Sequence, residues 1–182
     1  GVAPARNRLT RDGFPEILQV NFLGGFLLLH RLLERGTLPN RALAGSPRGP
    51  LTPRLLITSS ESHRSAPPID FDRFGHFPDF GLLDGTTWYG HSKLYVQTFA
   101  CEIGRRLASP GSVDVSVFSY CPGAVRSRIS REAGLAGRIM TSYFIDPSKA
   151  IWPAVYSAVS PDLEGSSARY FYLRNEARPE ES

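Results

Sequence analysis

Apolar positions fall into a few periodic blocks separated by long polar and proline-rich stretches. Ile17, Val20, Leu23, Leu27 and Leu28 keep a 3.6-type spacing that Leu32 and Leu33 extend, which predicts a helix over 10–35. Thr10 or Asp12 would cap its start, and Gly36 stands where it would stop. Residues 54–59, Arg-Leu-Leu-Ile-Thr-Ser, predict a short buried strand. A second helical pattern runs from Thr87 to Leu107 through Leu94, Val96, Phe99, Ala100 and Ile103. Residues 113–119 are rich in β-branched types and predict a second strand, stopped by Cys121-Pro122-Gly123. Pro147 is placed to open a third helix to Ser160. Residues 168–173 predict a third strand. The remainder reads as loop: an insertion over about 36–53, aromatic-rich loops over about 64–86 and 124–146 (the second with a short helix), and a loose tail over about 175–182.

Strands alternating with helices predict an α/β fold with a parallel sheet. Three to four strands with flanking helices are expected, in a single partial domain over 1–182. In such sheets the active site lies beyond the carboxyl ends of the strands. Polar clusters stand at those ends: Ser59 to His63 after the first, Pro122 to Arg128 after the second.

Composition narrows the function classes. The 182 residues are 41% hydrophobic and 21% charged, with a net charge of +4, ordinary for a soluble domain. Basic residues are scattered, so nucleic acid is not an expected partner. Cys101 and Cys121 have no CxxC partner, and the four histidines lack HxxxH or HExxH spacing, so no metal site is expected. A reducing compartment such as the cytoplasm is the default. No stretch reads as the roughly 20 apolar residues of a membrane helix. The opening Gly-Val-Ala-Pro, without Met, reads as the start of a fragment of a longer protein.

Tyr89-Gly90-His91-Ser92-Lys93 carries the sharpest chemistry. Tyr89 and Lys93 share a helix face, and an ammonium beside a phenol lowers the phenol's pKa from its ordinary value near 10. Such a tyrosine is a usable general acid or base. Ser60 at a strand end can donate to a carbonyl oxygen as charge develops there. Asn21, polar in an apolar helix, suggests a side chain bonding a kinked backbone.

Taken in order, these residues resemble the short-chain dehydrogenase/reductase family. Gly1-Val2 is similar to the end of its N-N-A-G strand motif, Val20-Asn21-Phe22-Leu23-Gly24 to N-x-x-G, and Ser59-Ser60 to its serine pair. Tyr89 to Lys93 matches Y-x-x-S-K, and Pro122-Gly123-Ala124-Val125 matches P-G-x-V, with Ser127 where many relatives carry threonine. The 29 positions between Ser60 and Tyr89, with Ser-Ser-x-x-His and Tyr-x-His-Ser-Lys-Leu, resemble the retinol dehydrogenase and WW-domain oxidoreductase branch. Ser167-Ala168 stands where that branch has Ser-Gly before Tyr170-Phe171.

The resemblance implies the C-terminal, catalytic portion of a Rossmann-like doubly wound sheet. It implies hydride transfer between NADP or NAD and a carbonyl or alcohol, with NADP favoured by the branch. Tyr89 would be the general acid/base, Lys93 would lower its pKa and bind the nicotinamide ribose, and Ser60 would polarise the carbonyl. Asn21 would hold a relay water. Gly1, Asn21, Tyr89, Lys93, Pro122, Gly123, Val125 and Ser127 would face the cofactor. The family's T-G-x-x-x-G-x-G loop does not occur in the sequence. Phe71, Phe74, Phe77, Phe80, Ile139, Met140, Tyr143 and Phe144 fit a pocket for a hydrophobic substrate, such as a retinoid, steroid or lipid, and fit equally a role in covering the core. A homodimer through the helices over 10–35 and 87–109 and membrane association of a longer form belong to the same expectation. The alternatives are a non-catalytic relative acting as a binding module and an epimerase or dehydratase of the extended branch.

Overall fold

The structure, a computed structural model, describes residues 1–38, 52–82, 84–109, 112–113, 115–127, 129, 132, 134, 139, 141–173 and 175–177. Most of the insertion expected over 36–53, the short helix expected within 124–146, and the tail beyond 177 lie outside the described residues.

The sheet has the order β1–β2–β3–β4, with β1 at Arg54–Thr58, β2 at Ser116–Cys121, β3 at Arg169–Tyr172 and β4 at Asn175–Ala177. The first three strands are parallel, with Leu56 opposite Phe118 and Tyr120 opposite Phe171. β4 returns antiparallel on β3, pairing Asn175 with Tyr172. This corrects the expectation of a loose tail from 175. Leu173, with φ of 54°, makes the reversal, and its backbone N–H bonds the Cys121 carbonyl. A polar composition hid the strand because β4 is short and is held by its backbone pairing.

β2 is buried from Ser116 to Ser119 because helices cover both sheet faces. On one face Val117 packs with Leu29 and Ile103. These come from α1, the helical rod Glu16–Glu34, and from α2, Gly85–Leu107. On the other face Phe118 and Phe171 pack with Leu163 and with Tyr156 of α3, Trp152–Val159.

α1 begins at Glu16 rather than at Thr10, whose N–H closes a turn on Phe14, and neither Thr10 nor Asp12 caps it. It ends as expected at Gly36, with φ of 61° and bonds from Gly36 and Thr37 back to Leu33 and Leu32. Residues Gln19–Leu23 of this rod form a π-helical turn centred on Asn21. At 19 residues the rod is long and apolar enough, by length and composition, to cross a membrane, and 22% of that stretch is buried. This corrects the expectation that no stretch reaches that length: the side chains between Glu16 and Glu34 are mostly apolar, and the stretch reaches that length with Arg31 inside it.

The third helix also starts later than expected. Pro147 enters a turn in which the Asp146 side chain accepts from Ser148 N–H and hydroxyl, and Pro153 sits in the first turn of α3. Two prolines six positions apart both suit a helix start. The Asp146 cap fixes the chain as a turn at the first.

Candidate active site

Each strand end delivers one wall of the site. At the end of β1, Ser59 N–H extends the ladder to Tyr120 at 2.7 Å. The next residue, Ser60, is extended (φ −160°, ψ 143°) and caps the 3-10 turn Glu61–Ser65 by accepting from Ser62 N–H at 3.3 Å. The Ser60 hydroxyl also donates to Ser62 Oγ at 3.1 Å. At the end of β2, the chain turns through Pro122 and Gly123. Gly123 has φ of 83°, and a Cβ there would stand 2.7 Å from Leu173 Cδ2.

α2 brings Tyr89 and Lys93 to these strand ends. Lys93 is 6% exposed; its ammonium donates to the Thr58 carbonyl at 3.0 Å and lies 5.8 Å from the centre of the Tyr89 ring. Burial pushes the Tyr89 phenol above its ordinary value, the nearby Ser60 hydroxyl opposes the rise, and Cys121 adds to it. Burial pushes the Lys93 ammonium down, with Cys121 opposing. The net direction for Tyr89 is therefore opposite to the lowering expected from a neighbouring lysine. The physical reason is that desolvation dominates and the ammonium is committed to Thr58.

Asn21 is a strut. Its Oδ1 accepts from Val2 N–H at 2.6 Å, and its Nδ2 donates to Val2 O and to Ser92 Oγ, both at 2.9 Å. Ser92 Oγ in turn donates to Tyr89 O at 2.8 Å. The π turn carries this side chain, whose bonds go to the opening segment and α2 and not to the backbone of its own helix. Gly1 is pressed on the strut: a Cβ there would lie 2.8 Å from Asn21 Oδ1.

A cavity of about 620 Å³ opens between these parts. Gly1, Ser60, Tyr89, Lys93, Pro122, Gly123, Val125 and Ser127 all line it. Asn21 does not line it and reaches it through Val2 and Gly1. The aromatic loop residues behave differently. Phe77 and Phe80 are buried in the core around Tyr95, Phe71 and Tyr143 are 71% and 87% exposed, and Met140 lies outside the described residues. Phe144 and Ile129 supply the apolar cavity wall. The expectation that these loops form an aromatic pocket is corrected to that extent: aromatic side chains serve core and surface as readily as a site.

Sequence reasoning gave no role to Gly90, Cys121 or the Arg8–Glu132 pair. A Cβ on Gly90 would lie 2.4 Å from Ser62 O, so α2 seats directly on the turn that carries Ser60. The glycine inside Y-G-H-S-K was the available signal. Cys121 is buried in the cavity wall beside Tyr89 and Lys93. Arg8 donates to Glu132 at 2.6 and 3.2 Å, and Ala5 N–H joins the same carboxylate at 3.1 Å. That clamp ties the loop after β2 to the opening segment; no local motif marks it.

A nicotinamide ring fits this cavity by the chemistry of its lining: Tyr89, Lys93 and Ser127 offer hydroxyl and ammonium donors, and Ala3, Pro122, Val125 and Ile129 offer apolar wall.

The chain is 31% identical over 183 residues to human polyprenol dehydrogenase, covering 98% of this chain and 52% of that protein. It is 31% identical over 179 residues to mouse retinol dehydrogenase 13, covering 93% of this chain and 48% of that protein. The chain thus spans about half the length of the curated relatives it matches. No protein-family model matches it. Among solved structures, a short-chain dehydrogenase from Salmonella enterica superposes with a TM-score of 0.57 at 17% identity, over 94% of this chain and 58% of that one. A chain from Shigella flexneri, described as a short-chain dehydrogenase and complexed with NADP, gives 0.51 at 18% identity, over 86% and 51%.

Proposed function

Because the chain belongs to the short-chain dehydrogenase/reductase family, we propose that it carries the proton-transfer site of an NADP- or NAD-dependent oxidoreductase acting on a hydrophobic carbonyl or alcohol. The observation that carries this reading is the convergence of Ser60, Tyr89 and Lys93 in one cavity walled by Gly123 and Val125. The bound nicotinamide would supply or accept the hydride. Tyr89, Lys93 and Ser127 would hold it against the Pro122–Val125 turn.

The chain's own groups perform the proton chemistry. Ser60 directs its hydroxyl to the substrate oxygen and meets charge that develops there. Tyr89 donates its phenolic proton to that oxygen in reduction and recovers it in oxidation. A phenol held above its ordinary value is protonated throughout the neutral range, which suits donation. Lys93, fixed by the Thr58 carbonyl, stabilises phenolate whenever it forms. Asn21 holds Val2 and Ser92, and so keeps the floor of the site attached to α2; a water relay through this residue belongs to the proposal. Ile129 and Phe144 favour an apolar substrate, and the similarity to proteins named for polyprenol and retinol supports that class. Pairing of two copies through α1, where Val20, Leu27 and Leu28 are exposed, and α2 is the assembly consistent with this reading.

Titration of NADPH fluorescence, followed by NADPH consumption at 340 nm with retinal-type and long-chain isoprenoid aldehydes, tests the proposal on the protein expressed from its whole coding sequence. Binding and aldehyde-dependent consumption are expected. Absence of both with NADPH and with NADH overturns it and favours a binding module.

A further inference from the structure

We propose that His63 is a positioning residue that sets the orientation of Ser60; the inference rests on the catalytic reading of Ser60 given above. The Ser60 carbonyl accepts two hydrogens from the same residue, His63: one from its backbone N–H at 3.1 Å and one from ring Nδ1 at 2.6 Å. A carbonyl oxygen only accepts, so Nδ1 carries the hydrogen. The two bonds fix the plane of the Ser60 peptide, and with it the direction of the Cα–Cβ bond that carries the hydroxyl.

The ring itself is held from outside the turn. It is 2% exposed and stands edge-on to Tyr170 of β3, centroids 5.3 Å apart at 88°. Tyr170 donates to Glu61 Oε1 at 2.6 Å, and Glu61 pairs with Arg64 at 2.9 Å. The turn after β1 is therefore braced by a side chain from β3, while Gly90 of α2 bears on its other side at Ser62. Ser60 sits where these two supports meet.

His63 Nε2 is buried and has no hydrogen-bond partner among the described residues. A residue serving packing alone would be better apolar, because a buried unsatisfied nitrogen is costly. The imidazole fits a requirement for the Nδ1 hydrogen at this spot. His63 does not line the cavity, and its hydrogen bonds fall on Ser60, so its action on the reaction is indirect.

A double-mutant cycle on the protein expressed from its whole coding sequence tests this. His63→Phe keeps the ring volume and removes the donor; His63→Asn places an amide N–H near the Nδ1 position. We expect His63→Phe to lower kcat roughly 10- to 100-fold, the scale of a misplaced catalytic group. KM for the cofactor should stay within about twofold, and His63→Asn should recover most of kcat. The pH rise of alcohol oxidation should move to higher pH in His63→Phe, because a displaced Ser60 hydroxyl holds the Tyr89 phenol down less. In a Ser60→Ala background, His63→Phe should change kcat by less than about twofold. A full His63→Phe effect in that background, or wild-type kcat and pH profile for His63→Phe alone, overturns the positioning role. Retained turnover in Ser60→Ala itself would instead overturn the catalytic reading of Ser60.

Discussion

Tyr89 concentrates the chemistry of the site, and its pKa sets the expected pH behaviour. Burial holds the phenol above its ordinary value. Carbonyl reduction, which consumes the phenolic proton, should then keep its kcat across pH 6 to 9. Alcohol oxidation, which needs phenolate, should still be climbing near pH 10. Steady-state rates in both directions against pH check this; an oxidation limb already flat near neutrality would show the phenol to be depressed. Ala168 offers a stability test at the same scale. Its φ of 58° is in the left-handed region that favours glycine. Ala168→Gly should stabilise the fold by about 1 kcal/mol in urea denaturation. This residue also shows what a sequence can carry. Ala168 departs from the branch's Ser-Gly, and the structure explains why that branch would use glycine there. The side-chain set Ser60, Tyr89 and Lys93 was legible because a motif order ties each to a strand end or helix start. The direction of the Tyr89 shift was not, because it depends on desolvation and on the Lys93 bond to Thr58, neither of which spacing reveals.

Elements meet at single close contacts, and these were the least legible features. α2 approaches the Ser60 turn through Gly90, whose hydrogen faces a backbone oxygen that cannot retreat as a side-chain tip can. Gly90→Ala should therefore push α2 from the turn, lowering kcat at least about tenfold and reducing the thermal midpoint, while Gly123→Ala would press on side-chain methyls of Leu173 and Ile145 and cost chiefly its φ. Circular-dichroism melting and steady-state rates measure the two effects. The helices and the three parallel strands were readable from their apolar periodicity, with starts displaced by a few residues. The displaced starts share a cause: Pro15 and Asp146 redirect the chain by local turns, which periodicity does not register. β4 was missed because its hold on β3 lies in the backbone.

Across the whole molecule, the sheet is a scaffold that brings the ends of β1 and β2 beside α2, and the fully buried Phe118 anchors the α3 face of that scaffold. Phe118→Ala should cost about 3–5 kcal/mol by denaturant unfolding. The Arg8–Glu132 clamp acts differently. Its partners are partly exposed, so Arg8→Met should cost no more than about 1 kcal/mol of stability. It also joins the opening segment to the loop bearing Ile129, so the same change should raise KM for an apolar substrate severalfold while leaving kcat nearly unchanged. Such a pair, 124 positions apart in sequence, becomes visible only in three dimensions.

The central claim is that Tyr89 transfers the proton. Its most direct test is kcat of Tyr89→Phe in the protein expressed from its whole coding sequence, with cofactor affinity measured alongside. A loss of at least about 100-fold in kcat with cofactor binding retained is the predicted result. Turnover within about threefold of the unsubstituted protein would contradict it.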